Sequence, residues 1–323
     1  MKAAICTRYG PPEVLQLREV EKPSPKDGEV LIKIHATTVT AGDGEVRSFK
    51  MPVLFWLPIR LYMGLLKPRI NILGQELAGV IKATGKDVTR FKIGEKIFAQ
   101  TDMNLGAHAE YICLSQNQSI AKMPPNISFE DAASLPVGGL NALHFLKKAN
   151  IQSGQHLLIK GAGGSIGIIA VQLAKHWGAE VTAVDSTKKL DTLISIGADH
   201  VIDYTKEDFT QNGKSYDIIF DVAGKVSYSK SIKSLNPGGY FLIANPRLHL
   251  MIQGMLTSKL TNKFVYTGVA KESPEDLNFI SGLVKDSKIK TIIDKRYPLE
   301  EIVEAHRYVD SGHKIGSVII NLG

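Results

Sequence analysis

Cysteine is scarce in this sequence, with only Cys6 and Cys113 in 323 residues. Neither lies in a CxxC or metal-ligand spacing, so a disulfide framework is excluded and a reducing compartment such as the cytoplasm is favoured. Aromatic residues make up only 7%, whereas 44% of residues are hydrophobic and 22% are charged, as in ordinary globular proteins. For this length we expect about two domains.

Long hydrophobic runs are also missing. The longest apolar stretch, residues 51–66, is interrupted by Pro52, Pro58 and Arg60. It falls short of the roughly 20 residues that a transmembrane helix needs. The N-terminus carries no apolar segment typical of a secretory signal. We therefore predict a cytoplasmic protein with no transmembrane segment.

No block of like charge stands out. Lys and Arg total 39 against 32 Asp and Glu, a formal net charge of +7, but no run of five or more basic residues occurs. Dispersed charge of this kind fits a solvated basic surface or an anionic small ligand better than a nucleic acid. We predict a small-molecule partner and no nucleic acid.

The pattern of hydrophobic residues changes along the chain. Residues 1–123 contain short alternating strands separated by Gly and Pro, which is typical of an antiparallel barrel or sandwich. From residue 124 onward strands and helices alternate, which predicts a doubly wound parallel sheet. Its six predicted strands are 156–162, 180–185, 200–202, 216–223, 240–244 and 263–270. The last helix and strands indicate a return to the first domain, so the predicted domains are 1–123 with 271–323, and 124–270.

A glycine-rich stretch follows the first strand of that predicted sheet and opens a helix. It fits the dinucleotide fingerprint A-x-G-x-x-G with the residues Ala162, Gly163, Gly164, Ser165, Ile166 and Gly167. Gly164 would let a pyrophosphate approach the backbone, and Gly167 would let the helix pack closely on the strand. The helix N-terminus offers unpaired N–H groups and a positive dipole end to the phosphates. The sequence therefore predicts a dinucleotide-binding Rossmann domain.

With these motifs in view, the whole chain resembles the medium-chain dehydrogenase/reductase superfamily, in particular its zinc-free quinone (enone) oxidoreductases. The resemblance rests on LGQELAGVIKATG in the first domain, LPVGGLNALHFL, the glycine loop, SIGADHVIDYTKEDF and LNPGGYFLIA. It implies an α/β fold in which a Rossmann domain is inserted into a GroES-like β-barrel domain. It also implies a homodimer that forms through the Rossmann edge.

Zinc-dependent relatives hold a catalytic metal with a Cys, the His of a Gly-His-Glu motif and a second Cys. The resemblance places Thr40, Gln75 and Val137 at these three positions. Tetrahedral zinc requires Cys, His or carboxylate ligands, which these residues do not supply. We therefore expect no bound metal.

Without a Lewis acid, oxidation of a simple alcohol is poorly supported, because nothing stabilises the alkoxide. A quinone or an α,β-unsaturated carbonyl accepts hydride more readily, because its conjugated system spreads the charge and the protein need only orient it. We predict NAD(P)H-dependent, metal-free hydride transfer to such an acceptor. A metal-free alcohol or carbonyl dehydrogenase-like enzyme and a non-catalytic, cofactor-binding structural or regulatory protein remain as alternatives.

Three residues are candidates for catalytic contact with the acceptor. The resemblance aligns Thr40 and Asp43 with the family's Asn-x-x-Asp stretch, although Thr replaces Asn and Asp43 has an alternative role in holding the loop. Tyr62 is a candidate proton donor within residues 51–69. That segment would form a wall of an apolar pocket, extra core or a dimer contact, and its basic residues also suit a membrane surface.

Further coenzyme contacts are predicted at the ends of other strands, since strand C-termini line the cofactor crevice of such sheets. The residues are Asn141, Ala223, Asn245 and Gly268. Coenzyme choice is less clear from the sequence. Asp185 would bind the ribose hydroxyl of NADH, whereas the hydroxyl of Ser186 and the charge of Lys188 would bind the 2′-phosphate of NADPH. The resemblance adds that zinc-free quinone oxidoreductases mostly use NADPH. We therefore favour NADPH as the coenzyme, with NADH also possible.

Overall fold

The computed structural model describes residues 1–50, 53–224, 227–245, 247–271 and 273–323, without the side chains of residues 53–55. The strands are β1 (Lys2–Cys6), β2 (Leu15–Glu19), β3 (Glu29–Thr38), β4 (Glu76–Thr84), β5 (Lys96–Gln100), β6 (Tyr111–Ser115), β7 (Ile120–Lys122), β8 (His156–Lys160), β9 (Glu180–Asp185), β10 (His200–Asp203), β11 (Tyr216–Asp221), β12 (Leu235–Ile243), β13 (Phe264–Thr267), β14 (Ile293–Pro298) and β15 (Ser317–Asn321). The α-helices are α1 (Ala41–Ser48), α2 (Val53–Met63), α3 (Phe129–Ala133), α4 (Pro136–Lys148), α5 (Ser165–His176), α6 (Leu190–Ser195), α7 (Tyr228–Lys233), α8 (Leu248–Leu260), α9 (Pro274–Lys285) and α10 (Ile302–Asp310).

Two compact units divide these elements. The first comprises residues Met1–Val137, Ser273–Lys285 and Thr291–Gly323. In it β1 and β2 form an antiparallel pair, and a seven-stranded sheet follows the order β14-β15-β3-β4-β5-β7, with β6 paired to β3. The domain boundaries expected from the sequence, at 123/124 and 270/271, stay a prediction.

The second unit comprises Gly138–Glu272 and Asp286–Lys290. Its sheet has six strands in the order β10-β9-β8-β11-β12-β13, and every pair in it is parallel. β8 lies between β9 and β11, so the direction in which the sheet is wound reverses beside β8. Ligands of open α/β sheets bind at such a switch point, outside the carboxyl ends of the strands.

Local sequence signals account for several helix starts. Ser128 and Asp131 form the capping box of α3 that their spacing predicts. All six predicted strands of the parallel sheet are present. Their apolar runs are buried on both faces of the sheet, as in the middle of β8.

Three helices were not predicted: α1, α2 and α8. α2 forms although Pro58 lies inside it, and α8 fills the stretch between β12 and β13. α8 shows little difference in polarity between its faces, because Ile252 and Met255 point outward at more than half exposure while Gly254 is buried. Helical periodicity was therefore hard to recognise in the sequence. Among the residues named in the sequence analysis, Pro52 lies outside the described residues.

Candidate functional site

The glycine loop turns directly from β8 into α5. Gly161 has φ +80°, a left-handed conformation that glycine adopts without strain. Its N–H donates to the carbonyl of Val184 on β9 at 3.0 Å, which ties the loop to the neighbouring strand. Gly164 is the N-cap of α5, and no side chain caps the helix there. The first N–H groups of this 12-residue helix are therefore available to an anion.

The two glycines to which the sequence analysis assigned roles differ in their surroundings. A Cβ on Gly164 would meet only the carbonyl of Gly161, at 3.6 Å, so the space beside it is open. A Cβ on Gly167 would lie 2.5 Å from backbone atoms of Gly161 and Ala162. Gly164 therefore leaves room at the helix start, and Gly167 allows the helix to pack closely on the loop. The binding of a pyrophosphate beside Gly164 stays a prediction.

Asp185, at the end of β9, has its carboxylate directed into the protein. Its Oδ2 accepts from the backbone N–H of Gly163 at 2.8 Å, and its Oδ1 accepts from the N–H of Ser186 at 2.8 Å. The ammonium of Lys189 lies 3.2 Å from Oδ1. Asp185 and Lys189 are 5% and 8% exposed. This carboxylate therefore holds the glycine loop and is neutralised by a buried cation.

The role of Lys189 as the partner of Asp185 was not predicted from the sequence. The spacing of four residues from Asp185 was the available signal. Lys188 is exposed on the short turn that follows Ser186, and Ser186 itself is half-buried. Both remain predicted contacts for the 2′-phosphate.

The loops after β8, β11 and β12 meet at the switch point. A Cβ on Gly161 would lie 3.1 Å from the Cβ of Ala223, which places the ends of β8 and β11 side by side. The carboxamide of Asn245 donates to the carbonyl of Val222 at 2.7 Å, joining the ends of β12 and β11. Asp221 accepts from the N–H of Gly224 at 2.9 Å, and burial raises its pKa. Ala223 and Asn245 thus lie at the same end of the sheet as the glycine loop, and their contact with the coenzyme stays a prediction.

Asn141 lies on α4, one turn after Gly138. A Cβ on Gly138 would approach the carbonyl of Ser165 to 2.7 Å, so α4 packs tightly on the start of α5. Because residues three apart share a helix face, Asn141 lies on the side of α4 that meets α5. This role of Gly138 is not evident from the sequence, since a glycine inside a helix gives no sign of what packs on it.

Gly268 lies farther along the sheet. It follows β13, the third strand after β8 in the sheet order, which corresponds to about 14 Å. The hydroxyl of Thr267 beside it is buried and has no hydrogen-bond partner among the described residues. An unsatisfied buried hydroxyl at a strand C-terminus is a position for a polar ligand group. These features fit a bound dinucleotide.

In the first unit, Thr40 and Asp43 bond mainly to each other. Thr40 caps α1, its hydroxyl donating to Asp43 Oδ2 at 2.7 Å and accepting from the Asp43 N–H at 3.0 Å. Asp43 is 0% exposed, and its other oxygen accepts from the N–H of Gly74 at 3.0 Å. This capping box favours the alternative in which Asp43 holds the loop. A catalytic role for either residue stays a prediction.

Glu76 is a buried carboxyl group that the sequence analysis did not single out. Its two oxygens accept from the Thr38 hydroxyl at 2.5 Å and from the Val137 N–H at 2.7 Å. Burial raises the pKa of Glu76 to about 7, and the nearby Asp43 adds to the rise. The two hydrogen bonds and Lys314 oppose it.

The positions that the resemblance equates with zinc ligands do come together. A Cβ on Gly42, two residues after Thr40, would lie 2.3 Å from the amide nitrogen of Gln75, and Val137 bonds to the residue after Gln75. A capped hydroxyl, a carboxamide and an isopropyl group do not make a tetrahedral zinc site. Nor does any group of three His, Cys, Asp or Glu suited to a metal occur in the described part of the chain. The donor set therefore does not fit zinc.

A buried basic cluster lies elsewhere in this unit. Arg47 is 2% exposed, and its guanidinium contacts His306 Nδ1 at 2.7 Å and Asp310 at 2.5 Å. The rings of His306 and His108 meet edge to face at 5.5 Å. His306 Nε2 and His108 Nδ1 are buried without a partner in the described ranges. Burial, with smaller effects from His108 and Arg47, holds the pKa of His306 well below its usual value.

Tyr62 lies on the exposed side of α2, with 54% of its surface accessible. No hydrogen bond of its hydroxyl is found within the described residues. Its role as a proton donor stays a prediction. No helix of the described chain is long and apolar enough to span a membrane.

Segments from both halves of the chain match known protein families. Residues 26–125 match the alcohol dehydrogenase GroES-like domain, and residues 196–320 match the family described as zinc-binding dehydrogenase. The structure of the quinone oxidoreductase from Coxiella burnetii superposes with a TM-score of 0.90 at 28% identity, over 100% of this chain and 99% of that one. The predicted fold, a Rossmann domain combined with a GroES-like domain, is confirmed.

Two curated relatives extend over almost the whole chain. The quinone-oxidoreductase homolog of Spinacia oleracea is 32% identical over 96% of this chain and 95% of its own length. The NADPH-dependent alkenal/one oxidoreductase of Arabidopsis thaliana is 28% identical over 99% of this chain and 79% of its own length. The chain therefore belongs to the medium-chain dehydrogenase/reductase superfamily, in its group of quinone and enone oxidoreductases.

Proposed function

We propose that this protein is an enzyme that uses NAD(P)H to reduce a quinone or an α,β-unsaturated carbonyl compound. The observation that carries the proposal is the start of α5, where the helix has no side-chain cap and a Cβ on Gly164 would enter open space. The names of the two relatives, a quinone oxidoreductase homolog and an alkenal/one oxidoreductase, support the acceptor class.

Several groups of this chain would hold the dinucleotide. The N–H groups at the start of α5 would bind the pyrophosphate, with the positive end of the helix dipole behind them. Ala223 and Asn245 would line the crevice beside the loop, and Asn141, Gly268 and the Thr267 hydroxyl would contact the other end of the coenzyme. When bound, the coenzyme supplies the hydride.

The residues at the positions of the zinc ligands in zinc-dependent relatives determine which acceptors the enzyme can reduce. Thr40, Gln75 and Val137 offer no Lewis acid to stabilise a developing alkoxide. A conjugated acceptor spreads the negative charge over its own π system, so orientation and one hydrogen-bond donor are enough. Tyr62 or water would supply that donor.

A coenzyme-oxidation screen tests the proposal. Purified protein is mixed with NADPH or NADH and with panels of quinones, enones, saturated aldehydes and ketones. Turnover of quinones or enones well above that of saturated carbonyls supports the proposal. Turnover confined to saturated carbonyls would favour a dehydrogenase-like enzyme. Coenzyme binding without turnover of any acceptor would favour a non-catalytic role.

For the coenzyme we propose a preference for NADPH, with NADH also used. Asp185 would repel a 2′-phosphate if it were free, but Lys189 neutralises it and two backbone N–H groups occupy its oxygens. Ser186 and Lys188 add a hydroxyl and a charge nearby. The ratio of kcat/KM for the two coenzymes tests this, and a preference for NADH of about tenfold or more would show that Asp185 dominates. Asp185→Ser should then move the preference toward NADPH.

We propose a homodimer in which the β13 edge takes part. β13 pairs only with β12 among the described strands, so its other edge is available for pairing. The adjacent α8 exposes Leu248, Ile252 and Leu256 on one helical stripe. Light scattering should give twice the mass of one chain, and the mass of one chain would contradict the proposal.

We also propose the cytoplasm as the compartment. The support is that both cysteines are free thiols and that Cys6 is buried, which suits a reducing environment. Cell fractionation with a compartment marker tests this placement.

A further inference from the structure

The segment from Trp56 to Arg69 presents an unusual concentration of exposed apolar surface. Its large exposed hydrophobic residues are Trp56 (41%), Leu57 (56%), Leu61 (58%), Tyr62 (54%), Leu65 (54%) and Leu66 (87%). Single exposed apolar residues are normal in proteins, whereas a contiguous group marks an interaction site. We call these six residues the α2 patch.

The α2 patch is held firmly on its inner side. Met63 is 2% exposed within the core of the first unit, and Ile59 packs partly against the same core. The Arg60 guanidinium stacks on the rings of Tyr9 and Phe49 at 3.8 and 4.4 Å. The outward position of the patch is therefore supported by buried contacts beneath it.

The turn after α2 is fixed as well. Arg60 Nε donates to the carbonyl of Leu65 at 2.8 Å, and the Tyr9 hydroxyl donates to the carbonyl of Gly64 at 2.9 Å. These bonds keep Leu65 and Leu66 at the tip of a structured turn. A largely exposed leucine at such a tip suits insertion into an apolar phase.

The charged residues of the sequence segment 46–75, which contains the patch, are all basic. No Asp or Glu occurs between Glu45 and Glu76 in the sequence. Lys50, Lys67 and Arg69 are exposed within this interval. A segment that joins exposed apolar side chains, Trp and Tyr to exposed basic residues, with no acidic residue of its own, matches the interface of an anionic lipid bilayer.

We propose that the α2 patch docks the protein on the surface of anionic membranes. Leu61, Leu65 and Leu66 would enter the boundary between headgroups and acyl chains, and Lys67 and Arg69 would bind the lipid phosphates. A second copy of this chain is a poorer occupant, because a symmetric interface would bring the same cations together. Docking does not depend on the proposed reaction.

Vesicle binding tests the proposal directly. The full-length protein is sedimented with vesicles of phosphatidylcholine alone and of phosphatidylcholine mixed with phosphatidylglycerol. We expect binding to the anionic vesicles, and its loss at about 1 M salt, where screening acts within about 3 Å. No binding, or equal binding to both vesicle types, overturns the proposal.

Variants identify the surface. Leu66→Glu should weaken binding at least about tenfold, whereas Ile93→Glu, at another residue that is 65% exposed, should leave it unchanged. Lys67→Gln and Arg69→Gln should each weaken it about fivefold, with exposed Lys82→Gln as the control. If Leu66→Glu binds like the wild type, the proposal is wrong. If it instead dissolves a dimer, a second copy is the occupant and the proposal is also wrong.

Fluorescence reports whether the patch itself enters the lipid. The chain has two tryptophans, Trp56 and Trp177, so Trp177→Phe leaves Trp56 as the sole reporter. Its emission should shift to the blue with anionic vesicles and be quenched by brominated acyl chains. Unchanged emission from vesicle-bound protein would assign binding to another surface. None of these measurements uses the proposed activity, so failure of docking and failure of the proposed function are distinguishable.

Discussion

The carboxylate of Asp185 accepts a hydrogen bond from the backbone N–H of Gly163 at 2.8 Å. The residue at the end of the second strand is thereby bonded to the loop that opens α5. A Cβ on Gly163 would lie 2.4 Å from Cδ of Lys189 and 3.1 Å from Asp185 Oδ2, so any larger residue there would have to displace the Lys189 side chain. Coenzyme choice and loop geometry are consequently linked through one carboxylate.

Lys189→Met should lower the preference for NADPH over NADH. The variant leaves the Asp185 carboxylate without its cation, so repulsion of a 2′-phosphate is no longer offset. We expect the ratio of kcat/KM values to fall at least about tenfold. Lys188→Met, at the exposed neighbour that is itself a predicted phosphate contact, should lower the ratio by a smaller factor. A larger effect at Lys188 would show that the exposed lysine is the main phosphate contact.

Gly164→Val should abolish dinucleotide binding without unfolding the protein, because its side chain would occupy the open space at the helix start. Gly167→Ala should instead destabilise the fold by about 1–3 kcal/mol, since its Cβ would overlap the backbone of the loop. Coenzyme titration and thermal unfolding separate the two effects. Unchanged coenzyme affinity in Gly164→Val would mean that the phosphates bind elsewhere.

The purified enzyme should contain no stoichiometric zinc. The reason is the side chains at the presumed ligand positions, Thr40, Gln75 and Val137, which lack suitable donor atoms. Elemental analysis should give well below one zinc per chain, and chelators should leave turnover intact. One tightly held zinc per chain, with activity lost on chelation, would contradict this prediction.

Glu76 should make the protein less stable as the pH rises from 4.5 to 7. Its pKa is raised to about 7 in the folded protein, so its stabilising contribution is complete below the ordinary value of 4.5 and is lost as pH rises through 7. Glu76→Gln removes this loss, which amounts to something on the order of 3 kcal/mol. Urea unfolding across this range should show the difference between wild type and variant changing with pH, and a constant difference would contradict the assignment.

His306 should act in the opposite direction. Its pKa is depressed in the folded protein. Below about pH 6.5 the imidazole therefore binds a proton in the unfolded chain but not in the folded chain. The free energy of unfolding should therefore fall on acidification. His306→Gln, whose amide oxygen can still accept from Arg47, should reduce that fall, whereas exposed His313→Gln should not. Melting temperatures between pH 7.5 and 5 are the measurement, with equal acid sensitivity in all three proteins as the contrary outcome.

Much of the second unit could be predicted because its signals are local. Apolar strands bounded by turns, and glycines at a fixed spacing before a helix, depend on neighbours in sequence. α8 was missed since its outward face is apolar, which removes the helical period on which prediction depends. Glu76 and Gly138 were missed because their roles depend on residues 61 and 27 positions away.

The sequence by itself determined the superfamily, the parallel sheet, the place of the glycine loop and the lack of zinc ligands at three positions. These follow from residue type and spacing, which fix hydrogen-bonding capacity and periodicity before the chain folds. Only the tertiary structure decided what Asp185, Thr40 and Asp43 bond to. A carboxylate has the same chemistry in every fold, but the direction in which it points is set by the donors that packing brings within about 3 Å of it.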